Sequence, residues 1–277
     1  MSERLDALRS RLRQDALERG FNARDVDLLL ADALGRSVSW LFAHGEEPVD
    51  EAIVRAQLDR RFAGEPVQYI RGSTEFYSRD FLVDDRVLIP RPETELLVEQ
   101  VVQHAPQDAR VIDVGTGSGC IAISVERERP DLRVVSVDIS VAALALAERN
   151  RARHDSRVRL FASDVLLAVR GTFDVVVSNP PYIAAGAVAH LAVEVRGHEP
   201  QLALTPGPRG TEVIERLLDQ SRARLVADGL VMMEIGYAQE SAVRELCVAR
   251  GYEVERVVPD LAGIPRVVVA RMHQKSG

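Results

Sequence analysis

Ser178-Asn179-Pro180-Pro181-Tyr182 places an amide, two rigid rings and an aromatic side chain at the end of the very apolar run Phe173 to Val177. A carboxamide offers one acceptor group and two donor hydrogens. Proline fixes φ and adds a carbonyl without a competing N–H, so two in succession present the main chain in a stiff geometry. The Asn179 side-chain oxygen and the Pro180 carbonyl can therefore accept the two hydrogens of one planar –NH2 group. Pro181 keeps the corner rigid and Tyr182 packs on the flat face of that group. Such a clamp suits an amide or the exocyclic amine of a base. A tight turn closing a strand is the competing reading, since Asn-Pro commonly starts turns.

A second constellation lies upstream. Asp113-Val114-Gly115-Thr116-Gly117-Ser118-Gly119 follows an apolar run and opens a helical pattern. Glycines let the main chain turn sharply and approach a ligand closely. A dinucleotide fingerprint needs G-x-G-x-x-G, and here the third glycine comes one residue early; a G-x-x-x-x-G-K-[ST] phosphate loop is absent too. The compressed D-x-G-x-G-x-G form resembles the S-adenosylmethionine loop of class I methyltransferases, whose cofactor has no phosphate for a helix N-terminus to hold. Asp138 ends the next apolar run, about 20 residues past the loop, the spacing at which an acidic group accepts hydrogen bonds from ribose hydroxyls. Capping the helix that follows is compatible with that role. Ser163-Asp164 ends the third run, where a loop aspartate is ordinarily just solvated.

Strands must deliver these residues to one edge of a sheet. Val111–Val114, Val134–Val137, Val158–Phe161 and Phe173–Val177 are short and β-rich, and helical patterns at Ile121–Glu128 and Val141–Ala152 lie between them. The pattern predicts an α/β fold with a doubly wound parallel sheet, in which ligands bind beyond the carboxyl ends of the strands. Leu230–Ile235, Glu253–Val258 and Val267–Ala270 supply further strands, with a helix at Glu240–Ala249 stopped by Gly251. Only Pro259 to Arg266 separates the last two strands, too short for a helical crossover, so an antiparallel last pair is expected.

Ahead of this domain, expected over 93–277, residues 64–92 alternate around Ser78-Arg79-Asp80 and predict a β-hairpin linker. It ends in Ile89-Pro90-Arg91-Pro92-Glu93-Thr94-Glu95, where Glu93 or Thr94 can cap the next helix. Residues 1–63 predict a bundle of short helices broken at Gly20, Gly35, Gly45 and Pro48, with Trp40, Leu41 and Phe42 in its core. This bundle carries no constellation of catalytic residue types; its expected task is to hold a partner.

Composition narrows the classes. Across 277 residues, 46% hydrophobic and 28% charged content is that of an ordinary soluble globular protein. A net charge of −7 argues against a broad surface that tracks phosphates, and no sequence-specific contact to nucleic acid is expected. Cys120 and Cys247, far apart, fit a reducing compartment and exclude a disulfide framework. Met1 to Gln14 is charged and lacks the apolar centre of a signal peptide, and no apolar run reaches the roughly 18 residues of a membrane span. The expected location is the cytoplasm. His190 and His198 lack companions at metal-ligand spacing, so no metal is expected.

Taken together, the motifs are similar to those of the HemK/PrmC family, bacterial enzymes that methylate the side-chain amide nitrogen of the glutamine in the Gly-Gly-Gln loop of peptide-chain release factors. The likeness runs through Glu65-Pro66-Val67-Gln68-Tyr69-Ile70, the segment Ile89 to Glu95, the glycine loop, Asn179 to Tyr182, Glu199-Pro200 and Glu234-Ile235-Gly236. The Ile-Pro-Arg-Pro-Glu-Thr-Glu segment discriminates most, because nucleobase methyltransferases also carry N-P-P-Y. The resemblance implies a class I S-adenosylmethionine-dependent methyltransferase preceded by a small helical bundle that binds class I release factors. It implies cofactor contacts at Gly115, Thr116, Gly117, Ser118, Gly119, Asp138, Asp164, Val165 and Asn179. Substrate contacts fall on Asn179, Pro180, Pro181 and Tyr182, with Asn179 and Pro180 as the catalytic pair. Val165 stands where some relatives carry Trp, so its contact with adenine is apolar or through the backbone. Arg91 is implied near the cofactor and Glu199 at the substrate channel. Two rival activities share the motifs: glutamine methylation on a ribosomal protein, and methylation of a nucleobase amine, which the acidic total and the lack of a Lys/Arg-rich tract disfavour. A non-catalytic adaptor is the third class, opposed by the intact loop, Asp138 and N-P-P-Y.

Overall fold

The computed structural model describes residues 2–273. The chain divides into a helical unit, which ends at Gly72 and also takes Ala192–His198, and a sheet unit formed by Ser73–Leu191 and the residues from Glu199 onward.

In the helical unit, β1 (Ser2–Arg4) leads into α1 (Leu5–Glu18), where Leu5, Leu8, Leu12 and Ala16 recur at helical spacing and are buried on one face. The Asn22 side chain accepts the Arg24 N–H to start α2 (Ala23–Leu34), and Gly35, at φ 61°, ends it. Ser37 caps α3 (Val38–Ala43); β2 (Pro48–Asp50), α4 (Ala52–Phe62) and α5 (Val67–Arg71) follow. Leu41 is buried as expected, but Phe42 is 61% exposed and Trp40 only half-buried. In so short a helix just one of three consecutive side chains can point inward, and the Arg9 guanidinium lies 3.8 Å over the Phe42 ring instead. Buried Arg61 donates to Asp25 at 2.7 Å and to Glu194 in the helical turn Val193–His198.

The helical unit continues past the expected boundary at residue 63, because Val67–Arg71 is helical and Gly72, at φ 75°, terminates it. Residues 64–92 are therefore not a linker. The hairpin occupies β3 (Ser73–Phe76) and β4 (Arg79–Leu82) and belongs to the sheet unit. Its turn is Tyr77-Ser78, both residues left-handed at φ 50° and 57°, the handedness that matches the twist of a two-residue hairpin. Tyr77 N–H donates to the Glu95 carboxylate at 2.7 Å, which pins the turn to the start of α6 (Glu95–His104).

The main sheet is built from β5 (Arg110–Val114), β6 (Arg133–Asp138), β7 (Arg159–Ala162), β8 (Phe173–Ser178), β9 (Leu225–Glu234), β10 (Tyr252–Pro259) and β11 (Pro265–Met272), in the order β10-β11-β9-β8-β5-β6-β7. Strands β5 to β9 run parallel; β10 and β11 form the antiparallel pair that their short connection required, and β11 also pairs antiparallel with β9. Alternate residues feed two cores. Val111, Val175 and Val177 pack with α6 and with α7 (Cys120–Glu128), whereas Ile112, Val176 and Val231 pack with the helices Glu212–Ser221 and Glu240–Ala249. Burial on both faces is why these strands read as unbroken apolar runs. A further helix, α8 (Val141–Arg153), joins β6 to β7.

From β5 the chain winds outward through β6 and β7, then returns to β8 on the other side of β5. The crevice at such a reversal is where open α/β sheets bind ligands. Val114 is in register with Ser178, so the glycine loop and Asn179 leave neighbouring strand ends side by side. Among the described residues no helix is long and apolar enough to cross a membrane.

Candidate active site

Gly115 and Gly117 take left-handed φ of 81° and 53°, and the floor they make is bare. Nothing lies within 4 Å of where a Cβ would stand on Gly117, and only the Asn179 carbonyl, at 4.0 Å, approaches that point on Gly115. Gly115 and Thr116 N–H both donate to the Val137 carbonyl, at 2.8 and 3.0 Å. Gly117 N–H donates to Asp138 Oδ2 at 2.9 Å, and Ser140 N–H donates to Asp138 Oδ1 at 2.8 Å. These loop amides are engaged by the neighbouring strand end and are not aimed at a phosphate. Asp138 still faces the cleft with lone pairs to offer; burial pushes its carboxyl above the usual range and the backbone N–H bonds oppose that rise. It does not cap α8, contrary to the capping reading: the N-cap is Ser140, whose hydroxyl accepts Ala143 N–H, and Asp138 only holds the Ser140 N–H ahead of the helix. The uncharged, Cβ-free floor beside an acceptor carboxylate fits a nucleoside with free hydroxyls.

One cleft is lined by Gly115, Thr116, Gly117, Ser118 and Asp138, by Asp164 and Val165, and by Asn179, Pro180 and Pro181. Gly119 and Tyr182 do not line it. At φ 85°, Gly119 starts α7 with its Cβ position facing Ile123 at 3.0 Å and Ala147 at 3.4 Å, so its small size serves close helix packing rather than ligand approach. Val165 sits at φ 51°, a strained setting for a β-branched residue; Leu166 N–H, bonded to Gln220 Oε1 at 2.7 Å, helps to hold the turn. Both Asp164 oxygens accept from Arg216, at 2.8 and 2.9 Å, on the rim.

The Asn179 end of the cleft is held from behind. Asn179 Nδ2 donates to Thr94 Oγ1 at 3.1 Å, and Thr94 Oγ1 donates to Glu234 Oε2 at 2.6 Å. The Tyr182 hydroxyl donates to Glu234 Oε1 at 3.2 Å, which ties the phenol to the strand end behind the cleft. Thr94 therefore does not cap α6, contrary to expectation, because its hydroxyl is turned toward Glu234. Burial pushes the Glu234 carboxyl up while the two hydroxyl bonds pull it down, and burial beside Glu234 pushes the Tyr182 phenol up. Gln239 completes the support: its Nε2 donates to the Tyr182 carbonyl at 2.9 Å, and its Oε1 accepts Gly236 N–H at 2.8 Å.

Arg91 lines the cleft and is ion-paired, its guanidinium 2.5 Å from the buried Glu199 carboxylate, so the proline-locked segment and Glu199-Pro200 share one wall. Deeper in the sheet, Ser136 Oγ donates to Asp113 Oδ2 at 2.7 Å, and burial raises the Asp113 carboxyl to about 7. Among the described residues no group of His, Cys, Asp and Glu is placed to hold a metal ion.

A doubly wound sheet with an antiparallel end, carrying a glycine loop, an acceptor carboxylate and a proline-stiffened amide around one cleft at its switch point, defines a class I methyltransferase. The chain is 44% identical over 253 residues to the release factor glutamine methyltransferase of Koribacter versatilis, spanning 89% of this chain and 90% of that one, and 42% identical over 239 residues to that of Neisseria gonorrhoeae, spanning 84% and 87%. It belongs to the release factor glutamine methyltransferase family. Residues 3–72 match the PrmC N-terminal domain and residues 92–196 the methyltransferase small domain. The fold also resembles a crystal structure of a methyltransferase from Pyrococcus furiosus, with a TM-score of 0.56 at 18% identity over 79% of this chain and 99% of that one.

Proposed function

We propose that this chain transfers a methyl group from S-adenosyl-L-methionine to the side-chain amide nitrogen of the glutamine in the Gly-Gly-Gln loop of class I peptide-chain release factors. When bound, that cofactor supplies an electrophilic methyl on a sulfonium sulfur. The residues suited to hold it are the floor Gly115 to Ser118, Asp138 for the ribose hydroxyls, and Asp164 with Val165 beside the adenine.

An amide nitrogen is a poor nucleophile because its lone pair is delocalised into the carbonyl. The Asn179 oxygen and the Pro180 carbonyl accept its two hydrogens, fix its plane and return electron density to nitrogen. Orientation of this kind contributes on the order of 7–11 kcal/mol in favourable cases. No strong base is needed before attack, since the nitrogen gives up its proton readily only after the bond to carbon has formed. The observation that carries the reading is the direction of Asn179: its –NH2 end is engaged by Thr94, which leaves its oxygen as the acceptor. The helical unit, through its likeness to the PrmC N-terminal domain, supports a partner as large as a release factor.

Methyl-labelled cofactor offered with release factor, ribosomal protein and duplex DNA in separate reactions tests the proposal. Label is expected on the release factor glutamine and lost in Asn179→Ala with cofactor affinity retained. Label on nucleic acid alone overturns it.

A further inference from the structure

We propose that Thr94 and Glu234 are positioning residues that set which end of the Asn179 carboxamide faces the cleft, an inference that rests on the methyl-transfer reading above. The oxygen and nitrogen ends of a carboxamide are nearly the same size, so packing cannot choose between them. Hydrogen bonding can. Glu234 offers two acceptor oxygens; the Tyr182 hydroxyl donates to one and the Thr94 hydroxyl to the other. Thr94 has a single hydroxyl proton, and Glu234 takes it. The Thr94 oxygen is then an acceptor only, and just the –NH2 end of Asn179 can satisfy it. A flipped Asn179 would set two acceptor oxygens against each other where no solvent can intervene, for Thr94 and Glu234 are each 2% exposed.

The three side chains come from separate stretches: Thr94 precedes α6, Asn179 follows β8 and Glu234 ends β9. Their convergence gives the Pro-Glu-Thr and Glu-Ile-Gly segments one shared task. A carboxylate remote from the transferred group fixes the polarity of the amide that holds the substrate.

The test compares Thr94→Val, Thr94→Ser and Glu234→Gln in the full chain, using steady-state methylation of intact release factor and calorimetric binding of S-adenosylhomocysteine. We expect kcat to fall by roughly 10- to 100-fold in T94V and E234Q, with KM and the product's Kd within about threefold of wild type, and T94S to keep near-normal turnover. A second readout needs neither cofactor nor substrate. The Asn179 side-chain amide resonance, assigned by its loss in N179A, should exchange slowly with solvent in wild type and T94S and fast in T94V. Equal turnover in T94V and wild type, or equal loss in T94S and T94V, overturns the proposal. Should T94V fail to fold, E234Q, of the same volume, decides it. A wild type that shows the slow amide but does not methylate release factor overturns the functional reading instead.

Discussion

The Asn150 side-chain nitrogen donates to the Ser118 carbonyl at 2.8 Å, and the same amide pairs with both backbone groups of Leu82, accepting its N–H at 2.8 Å and donating to its carbonyl at 2.9 Å. Through this one fully buried residue, α8 ties the glycine loop to the end of the hairpin. Asn150→Ala leaves the buried Ser118 carbonyl and the two part-buried backbone groups of Leu82 without the side chain that bonds them, and is expected to cost about 2–4 kcal/mol in urea unfolding. Asn150→Asp, which sets a carboxylate against two carbonyls, should cost more. A loss for N150A below about 0.5 kcal/mol would show that the clamp is dispensable.

Gly236 is needed for space. A Cβ there would stand 2.9 Å from the Tyr182 ring and 2.9 Å from Gln239 Oε1, and the ring cannot retreat because Glu234 holds its hydroxyl. Overpacking of this kind costs roughly 1–3 kcal/mol. Gly236→Ala is expected to displace Tyr182, lowering turnover by about tenfold while cofactor binding stays near wild type. Full activity in G236A would mean that the N-P-P-Y corner tolerates movement.

Asp138 gives the complementary result. Asp138→Asn keeps the size but offers one acceptor oxygen where two backbone N–H groups now bind. Cofactor Kd is expected to rise by roughly 10- to 100-fold, with kcat at saturating cofactor nearly unchanged. An unaltered Kd by calorimetry would move the ribose contact elsewhere.

Asp113 makes stability depend on pH. Its folded carboxyl titrates at about 7 against an ordinary 3.8, so over the interval between those values the folded chain holds a proton that the unfolded chain has lost. The contribution is complete below the ordinary value and disappears as pH rises through about 7. Thermal unfolding should therefore shift to lower temperature as pH rises from about 4 to about 7 and level off above that, and Asp113→Asn, which can still accept from Ser136, should lose that dependence and exceed wild type at the alkaline end. Parallel curves for the two proteins would disprove the assignment.

Local features of the chain revealed most of the architecture. The valine runs of β5, β6 and β8 and the short connection from Pro259 to Arg266 define strand direction without any knowledge of neighbours. The spacing from the glycine loop to Asp138 likewise survives in three dimensions. Relationships across long separations did not show: Thr94 meets Asn179 at a distance of 85 residues and Glu234 at 140, and no periodicity records such a meeting. Thr94 read instead as a cap, because hydroxyl residues before helices commonly are. Gly119 looked like the glycines beside it and differs only because α8 packs against it. The turn at Tyr77-Ser78 carries none of the Gly or Asn that usually mark left-handed positions, so the hairpin read one residue late.

Between Leu191 and Glu199 the chain leaves the sheet unit and lends Ala192–His198 to the helical one, where Glu194 neutralises Arg61. The two units are thus not beads on a string that recombination could exchange with a single cut. A version shortened at Gly72 would retain the lent turn without Arg61 to receive it, leaving the stretch from Tyr182 to Glu199 untethered at its middle. A swap of the helical unit between related enzymes has to carry Ala192–His198 along, since that segment belongs to it and holds a partner of Arg61.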